Sequence, residues 1–137
     1  MKIRPVAMAF AMLAPLPVLA EDVKVMVELN KLETEGSACQ AYILLQNKTE
    51  TAFENLALDL VMFDPDGIIA RRLAVEMAPL RAGKTSVKVF GIDGLTCEGI
   101  GRVLVNDVLS CTAGGAAKSD CLGLIETVSR GPVELIN

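Results

Sequence analysis

From Leu56 to Phe90 apolar and polar residues alternate more regularly than anywhere else in the chain, with Leu56, Leu58, Leu60 and Met62 in one phase. A period of two marks a β-strand with one face on a core. The run breaks at Asp64-Pro65-Asp66-Gly67, where proline presets a turn dihedral, Asp64 can accept hydrogen bonds from the backbone ahead, and Gly67 can take positive φ. A hairpin is expected there. The return strand puts Ile69, Leu73, Val75 and Met77 on one face with Arg71, and Ile68, Ala70, Arg72, Ala74 and Glu76 on the other. Ala78-Pro79-Leu80-Arg81-Ala82-Gly83 then ends pairing. A third strand carries Thr85, Val87 and Val89 in the inward phase, with Ser86 and Lys88 pointing out.

The same period appears earlier, first in Val23, Val25, Val27 and Leu29 and then in Cys39, Ala41, Ile43 and Leu45, with a turn at Glu33-Thr34-Glu35-Gly36-Ser37 between them. Residues 50–55 read as a loop. Between Cys97 and Cys111 the alternation fails, because Val103, Leu104, Val105, Val108 and Leu109 place apolar groups on both faces. A central strand covered on both sides reads this way. Gly99-Ile100-Gly101 lacks the third glycine of a dinucleotide fingerprint and is read as a bulge or the start of a strand. Leu122 to Arg130 fits a last strand or a short helix capped by Ser119, the strand being preferred for Ile125, Thr127 and Val128. Pro132 suits an edge strand. No segment has the period of a long helix. About seven short strands with frequent turn signals predict an all-β fold, an immunoglobulin-like (Greek-key) β-sandwich. There is no Trp, so an antibody-type core is disfavoured.

The first twenty residues stand outside this pattern. Lys2 and Arg4 precede an apolar run that ends Val18-Leu19-Ala20, the layout of a signal peptide cleaved after Ala20. The run is shorter than the roughly 20 residues that span a bilayer and contains Pro5, Pro15 and Pro17. Residues 1–20 are therefore expected to be removed, leaving 21–137 as one domain with no membrane span. The protein should be periplasmic or secreted. The full chain has a net charge of -4, and losing Lys2 and Arg4 makes it two units more negative. Nothing in such a chain prepares it to neutralise phosphates, so nucleic acid is not an expected partner.

Export changes the meaning of Cys39, Cys97, Cys111 and Cys121. Four cysteines in an oxidising compartment point to two disulfides, and of three possible connectivities Cys39 with Cys97 and Cys111 with Cys121 is favoured. The first would tie the second strand to the segment entering the sixth, and the second would close the Ala113-Gly114-Gly115-Ala116-Ala117 loop. No Cys-x-x-Cys and no His is present, which removes the usual structural zinc and thioredoxin-like sites.

The lack of His also excludes Ser-His-Asp and Cys-His catalysis. The acidic pairs Glu33/Glu35 and Asp64/Asp66 lie in predicted turns, where solvation is the simpler reading than acid–base work. Asp64-x-Asp66-Gly67 lacks the later carboxylates of a calcium loop. Asn47-Lys48-Thr49 matches a glycosylation sequon and is read as a chance match in a bacterial envelope protein. No cofactor is expected. Met26, Met62 and Met77 are soft donors of the type that hold Cu(I), which makes periplasmic metal handling through Met and Cys the alternative function. Two of the three fall on the inward phase, where Met fills core space.

If Leu56 to Met62 face inward, Val61, Phe63, Ile68 and Phe90 face out, and such an apolar patch on a small secreted domain is a candidate partner site. Arg71, Arg72 and Arg81 add a local positive cluster. The run Cys39-Gln40-Ala41-Tyr42 and the blocks FDPDGIIARRLAVE, PLRAGKTSVKVF and CEGIGRVLVNDVLSC resemble small, uncharacterised exported proteins of alphaproteobacteria with an immunoglobulin-like sandwich. The resemblance implies compartment and fold and assigns no site residues. The expectation is a non-enzymatic periplasmic domain that binds another envelope protein.

Overall fold

The computed structural model describes residues 1–16 and 24–137. Residues 1–16 form no regular secondary structure. The expected cleavage point after Ala20, and Val23 of the first predicted strand, lie outside the described residues. Among the described residues no helix is long and apolar enough to cross a membrane.

Among the described residues, nine strands form two facing sheets: β1 (Val25–Glu35), β2 (Ala38–Asn47), β3 (Phe53–Phe63), β4 (Ile69–Glu76), β5 (Thr85–Ile92), β6 (Arg102–Ala113), β7 (Ala116–Ala117), β8 (Ile125–Ser129) and β9 (Glu134–Ile136). Sheet A runs β5-β2-β1-β8. Sheet B runs β4-β3-β6-β7, with β9 also paired to β6. The predicted β-sandwich is thus observed, with two more strands than expected. Cys39–Cys97 and Cys111–Cys121 are the disulfides, the favoured pairing. The first ties β2 to a 3-10 turn at Cys97–Gly99. The second ties β6 to another at Cys121–Leu124, which precedes β8 and so gives the tail both a short helical turn and a strand.

The core lies between the sheets and holds the residues that the alternation placed there on β2 and β3: Cys39, Ala41, Ile43, Leu45, Leu56, Leu58, Leu60 and Met62 are all buried. Burying each such aliphatic side chain contributes about 1.5–3 kcal/mol. The Asp64 turn also forms as its residues dictate. Asp64 Oδ1 accepts from the N–H groups of Asp66 and Ile68, both at 2.9 Å, and Gly67 takes φ +82°.

Four expectations need correction. On β5 the phase is reversed: Val87 and Val89 are exposed, while Phe90 and Ile92 pack on the core. Ser86 and Lys88 share the core-facing phase, since Lys88 pairs with buried Ile43. The register with β2 sets this phase, since buried Ala41 and Cys39 pair with Phe90 and Ile92 and leave Val87 and Val89 on the outer face.

On β4, Val75 and Met77 are buried as expected, but Ile69 is exposed because a bulge shifts the register and pairs it with Phe63. On β6 bulges account for the part of the double-sided apolar run beyond Val105, while Leu104, paired with buried Val61, is half-buried on the outer face. The pairing with β3 skips Asn106 and Leu109, and Leu109 is exposed. A bulge inserts one residue and reverses the phase beyond it. The loop expected at residues 50–55 is also shorter, since β3 begins at Phe53.

Candidate cleft at one end of the sandwich

Two inner strands carry a buried acid on the face turned away from the core. On β1 it is Glu28 and on β3 it is Asp59. A buried carboxylate is costly unless hydrogen-bonded and paired, and each has an arginine and an asparagine. Asp59 accepts from Arg72 Nε at 2.8 Å and Nη2 at 2.7 Å, and from Asn106 Nδ2 at 2.9 Å. The Arg72 bonds are the main cause that holds its pKa down at about 2. Glu28 accepts from Asn30 Nδ2 at 2.9 Å and from Arg130 Nε at 3.1 Å, and these bonds, Asn30's first, lower its pKa. Both asparagines sit at bulges, since the β1–β2 register skips Asn30 and the β3–β6 register skips Asn106. The extra residue at a bulge redirects a side chain, here toward a carboxylate.

Arg130 is the first residue after β8, and its N–H donates to Leu29 O at 3.0 Å before the chain leaves sheet A. Gly131 takes φ +82° and Pro132 follows, so the link turns toward β9 on sheet B. This departure opens a cleft of about 620 Å³ at the end of the sandwich. Its apolar lining comes from Leu29 and Leu32 of β1, Ile100 before β6, and Pro132 and Val133 of the link. Lys31, Glu98 and Arg130 supply the charges at its rim. Lys31 pairs with Glu33 and stands over the Tyr42 ring at 5.3 Å. Arg130 keeps its guanidinium largely exposed while Nε holds Glu28.

The Asp64 turn forms another side through Pro65. Gly101 N donates to Phe63 O at 2.7 Å, and a Cβ on Gly101 would stand 2.6 Å from Asp64 O. Glycine is required there by backbone approach, and it stands directly before β6, at the strand start that its place in the sequence suggested. Cys97 also lines the cleft, so the disulfide to Cys39 fixes that wall to β2.

The four residues of the predicted partner patch do not converge. Val61 is buried at 6% exposure, Phe63 is half-buried, Phe90 packs against the core, and Ile68 is open at 65%. Only the turn between Phe63 and Ile68 borders the cleft. The arginine cluster also divides. Arg72 holds Asp59, whereas Arg71, in phase with buried Met62, reaches Asp93 O at 2.6 Å. Met62 and Met77 are core residues, Met26 is in neither the core nor the cleft lining, and all four cysteines are in disulfides. Asn47 of the sequon is buried, and its Nδ2 donates to Thr51 O at 2.9 Å and Leu80 O at 3.3 Å. The amide that a glycan would occupy is engaged inside the fold.

The molecule is therefore a two-disulfide β-sandwich with an end cleft between its sheets. Among solved structures it is similar to IrmA from Escherichia coli, with a TM-score of 0.57 and 15% sequence identity over 80% of this chain and 94% of that chain. At that identity the likeness shows fold alone. No protein-family model matches the chain, and no curated protein matches it significantly.

Proposed function

We propose that the protein is an exported, non-enzymatic domain of the periplasm, of immunoglobulin-like type, which binds another envelope protein through the end cleft. The cleft carries this reading: an apolar floor under a rim with charges of both signs is the composition of a recognition site. The two disulfides and the signal-like first twenty residues support export. The resemblance to exported alphaproteobacterial proteins supports the same compartment. Non-enzymatic binding is supported by the sequence having no His and by the structural bonds of Glu28, Asp59 and Asp64.

The test is capture from envelope extract by the wild-type domain and by the double variant Lys31→Glu, Glu98→Lys. Both side chains are exposed, so the melting temperature should not move. A partner retained by wild type and lost by the variant is the expected result. Equal retention by both would exclude the cleft, and failure of wild type to retain any protein would reject the binding reading.

A further inference from the structure

β8 accompanies β1 in parallel only over Val25–Leu29. Beyond Leu29 the chain departs through Arg130, yet β1 continues to Glu35, paired among the described residues with β2 alone. Lys31–Glu35 is thus an open strand edge in a lane whose first half is filled. In an antiparallel ladder every second residue turns its N–H and C=O away from its partner, so this edge presents unpaired backbone groups. The cleft borders the start of this edge, where Lys31 and Leu32 line it together with Ile100 and Val133.

The other long edges are guarded. On β4, Arg71 occupies the core-facing phase and crosses to Asp93. On β5, Lys88 shares the face of buried Ile43. Inward-pointing charges on edge strands oppose the addition of another strand. The exposed half of β1 has Leu32 and Thr34 in that phase, paired with Ala41 and Cys39. It carries no such guard.

We propose that an extended segment of the partner protein adds to β1 beside Lys31–Glu35, in line with β8. This rests on the cleft being the binding site and specifies how it binds. Five residues of β1 give a lane about 17 Å long. The segment alternates apolar and polar residues. Its inward side chains cover Leu32, Ile100 and Val133, and an acidic residue on its outward face meets Lys31 and Arg130. Main-chain bonds supply affinity and alternate side chains supply selectivity, as in other strand additions.

The probe is a synthetic peptide selected from a phage-displayed library of linear 12-residue sequences on the disulfide-bonded domain. The selected sequences should alternate, and the peptide should slow amide exchange at alternate positions of Lys31–Glu35. N-methylation of peptide residues facing β1 should weaken binding about tenfold, with little effect at the intervening residues. Lys31→Glu should weaken it about threefold without altering the melting temperature. A peptide that occupies the cleft while leaving those amides unprotected, or that tolerates N-methylation throughout, overturns strand addition and leaves cleft binding standing. Selection that yields no cleft-binding peptide also overturns it, and partner capture with the charge-swapped variant then decides the broader reading separately.

Discussion

Asp59 and Glu28 are built alike and positioned for different tasks. Each is a buried acid on the outer face of an inner strand, held by one arginine and one bulged asparagine. Arg72 stands on β4, the strand next to Asp59, and uses two N–H groups, while Asn106 reaches in from β6. That group ties β4, β3 and β6 across sheet B. Glu28 takes its asparagine from its own strand and its arginine from 102 positions along the chain, through one longer bond. What it holds is the point where the chain leaves sheet A and the cleft begins. One carboxylate fastens a sheet, and the other positions the wall of a binding site.

If that distinction is right, Arg72→Met should lower the melting temperature by several degrees and should be the most damaging substitution of those proposed here. It leaves Asp59, at 2% exposure, with Asn106 alone, and a buried charge deprived of its partner is the costly case. Part of the loss should return in acid, where the orphaned carboxylate protonates. Thermal melts across pH measure both effects. An Arg130→Met melting point lower than that of Arg72→Met would break the comparison.

Acid titration sharpens the comparison next. The folded-state pKa of Asp59 is depressed from 3.8 to about 2, and that of Glu28 is depressed below 4.5. A depressed carboxylate contributes stability above its unfolded pKa, which disappears as pH falls through the folded value. Denaturant midpoints of wild type should therefore fall from about pH 4.5 down to about 2. Asp59→Asn should flatten the part below 3.8, and Glu28→Gln should flatten the loss that begins below 4.5. An unchanged acid limb in Asp59→Asn would remove the carboxylate from the account of sheet B.

The inward faces of β2 and β3 were legible in the sequence, whereas the Asp59 group and the cleft were not, for physical reasons. β2 and β3 alternate without interruption because they are inner strands with one face on the core, so their phases could be read directly. Their edge neighbours obey weaker rules: Val87 and Val89 face solvent on β5, and Lys88 takes the guarded inward phase. The bulges at Asn106 and Leu109 showed only as a failure of alternation, and the one at Asn30 fell within a regular alternation and left no sign. In β6 that failure was taken for cover on both faces. The cleft brings together the middle of β1, the Asp64 turn, the segment before β6 and the β8–β9 link. No local pattern joins four such separated pieces, and the parallel β1–β8 pairing that aligns them spans most of the chain. The nearest signal was the turn between Phe63 and Ile68, which was selected for an outward patch and borders the cleft through Pro65.

Arg130→Met should lower the melting temperature less than Arg72→Met, because one N–H is lost rather than two and Asn30 remains on Glu28. Its main effect should be local. Amide exchange at Ser129, Arg130 and Gly131 should accelerate, and partner binding should weaken as the link moves. A variant with intact binding and unchanged exchange would show that the link holds its position without Glu28.

The smallest effect should come from Lys48→Met, and it tests whether burial separates these groups from ordinary ion pairs. Lys48 Nζ stands 3.4 Å from Glu126 Oε2, with the two side chains 48% and 46% exposed. Glu126 lies on β8 opposite Met26, on the same sheet as Glu28. Removing Lys48 leaves Glu126 in water, where screening makes the pair weak and the unpaired acid costs little. The melting temperature and partner affinity should both stay within error of wild type. A drop matching that of Arg130→Met would mean that charge across sheet A, rather than the burial of Glu28, holds the end of β8.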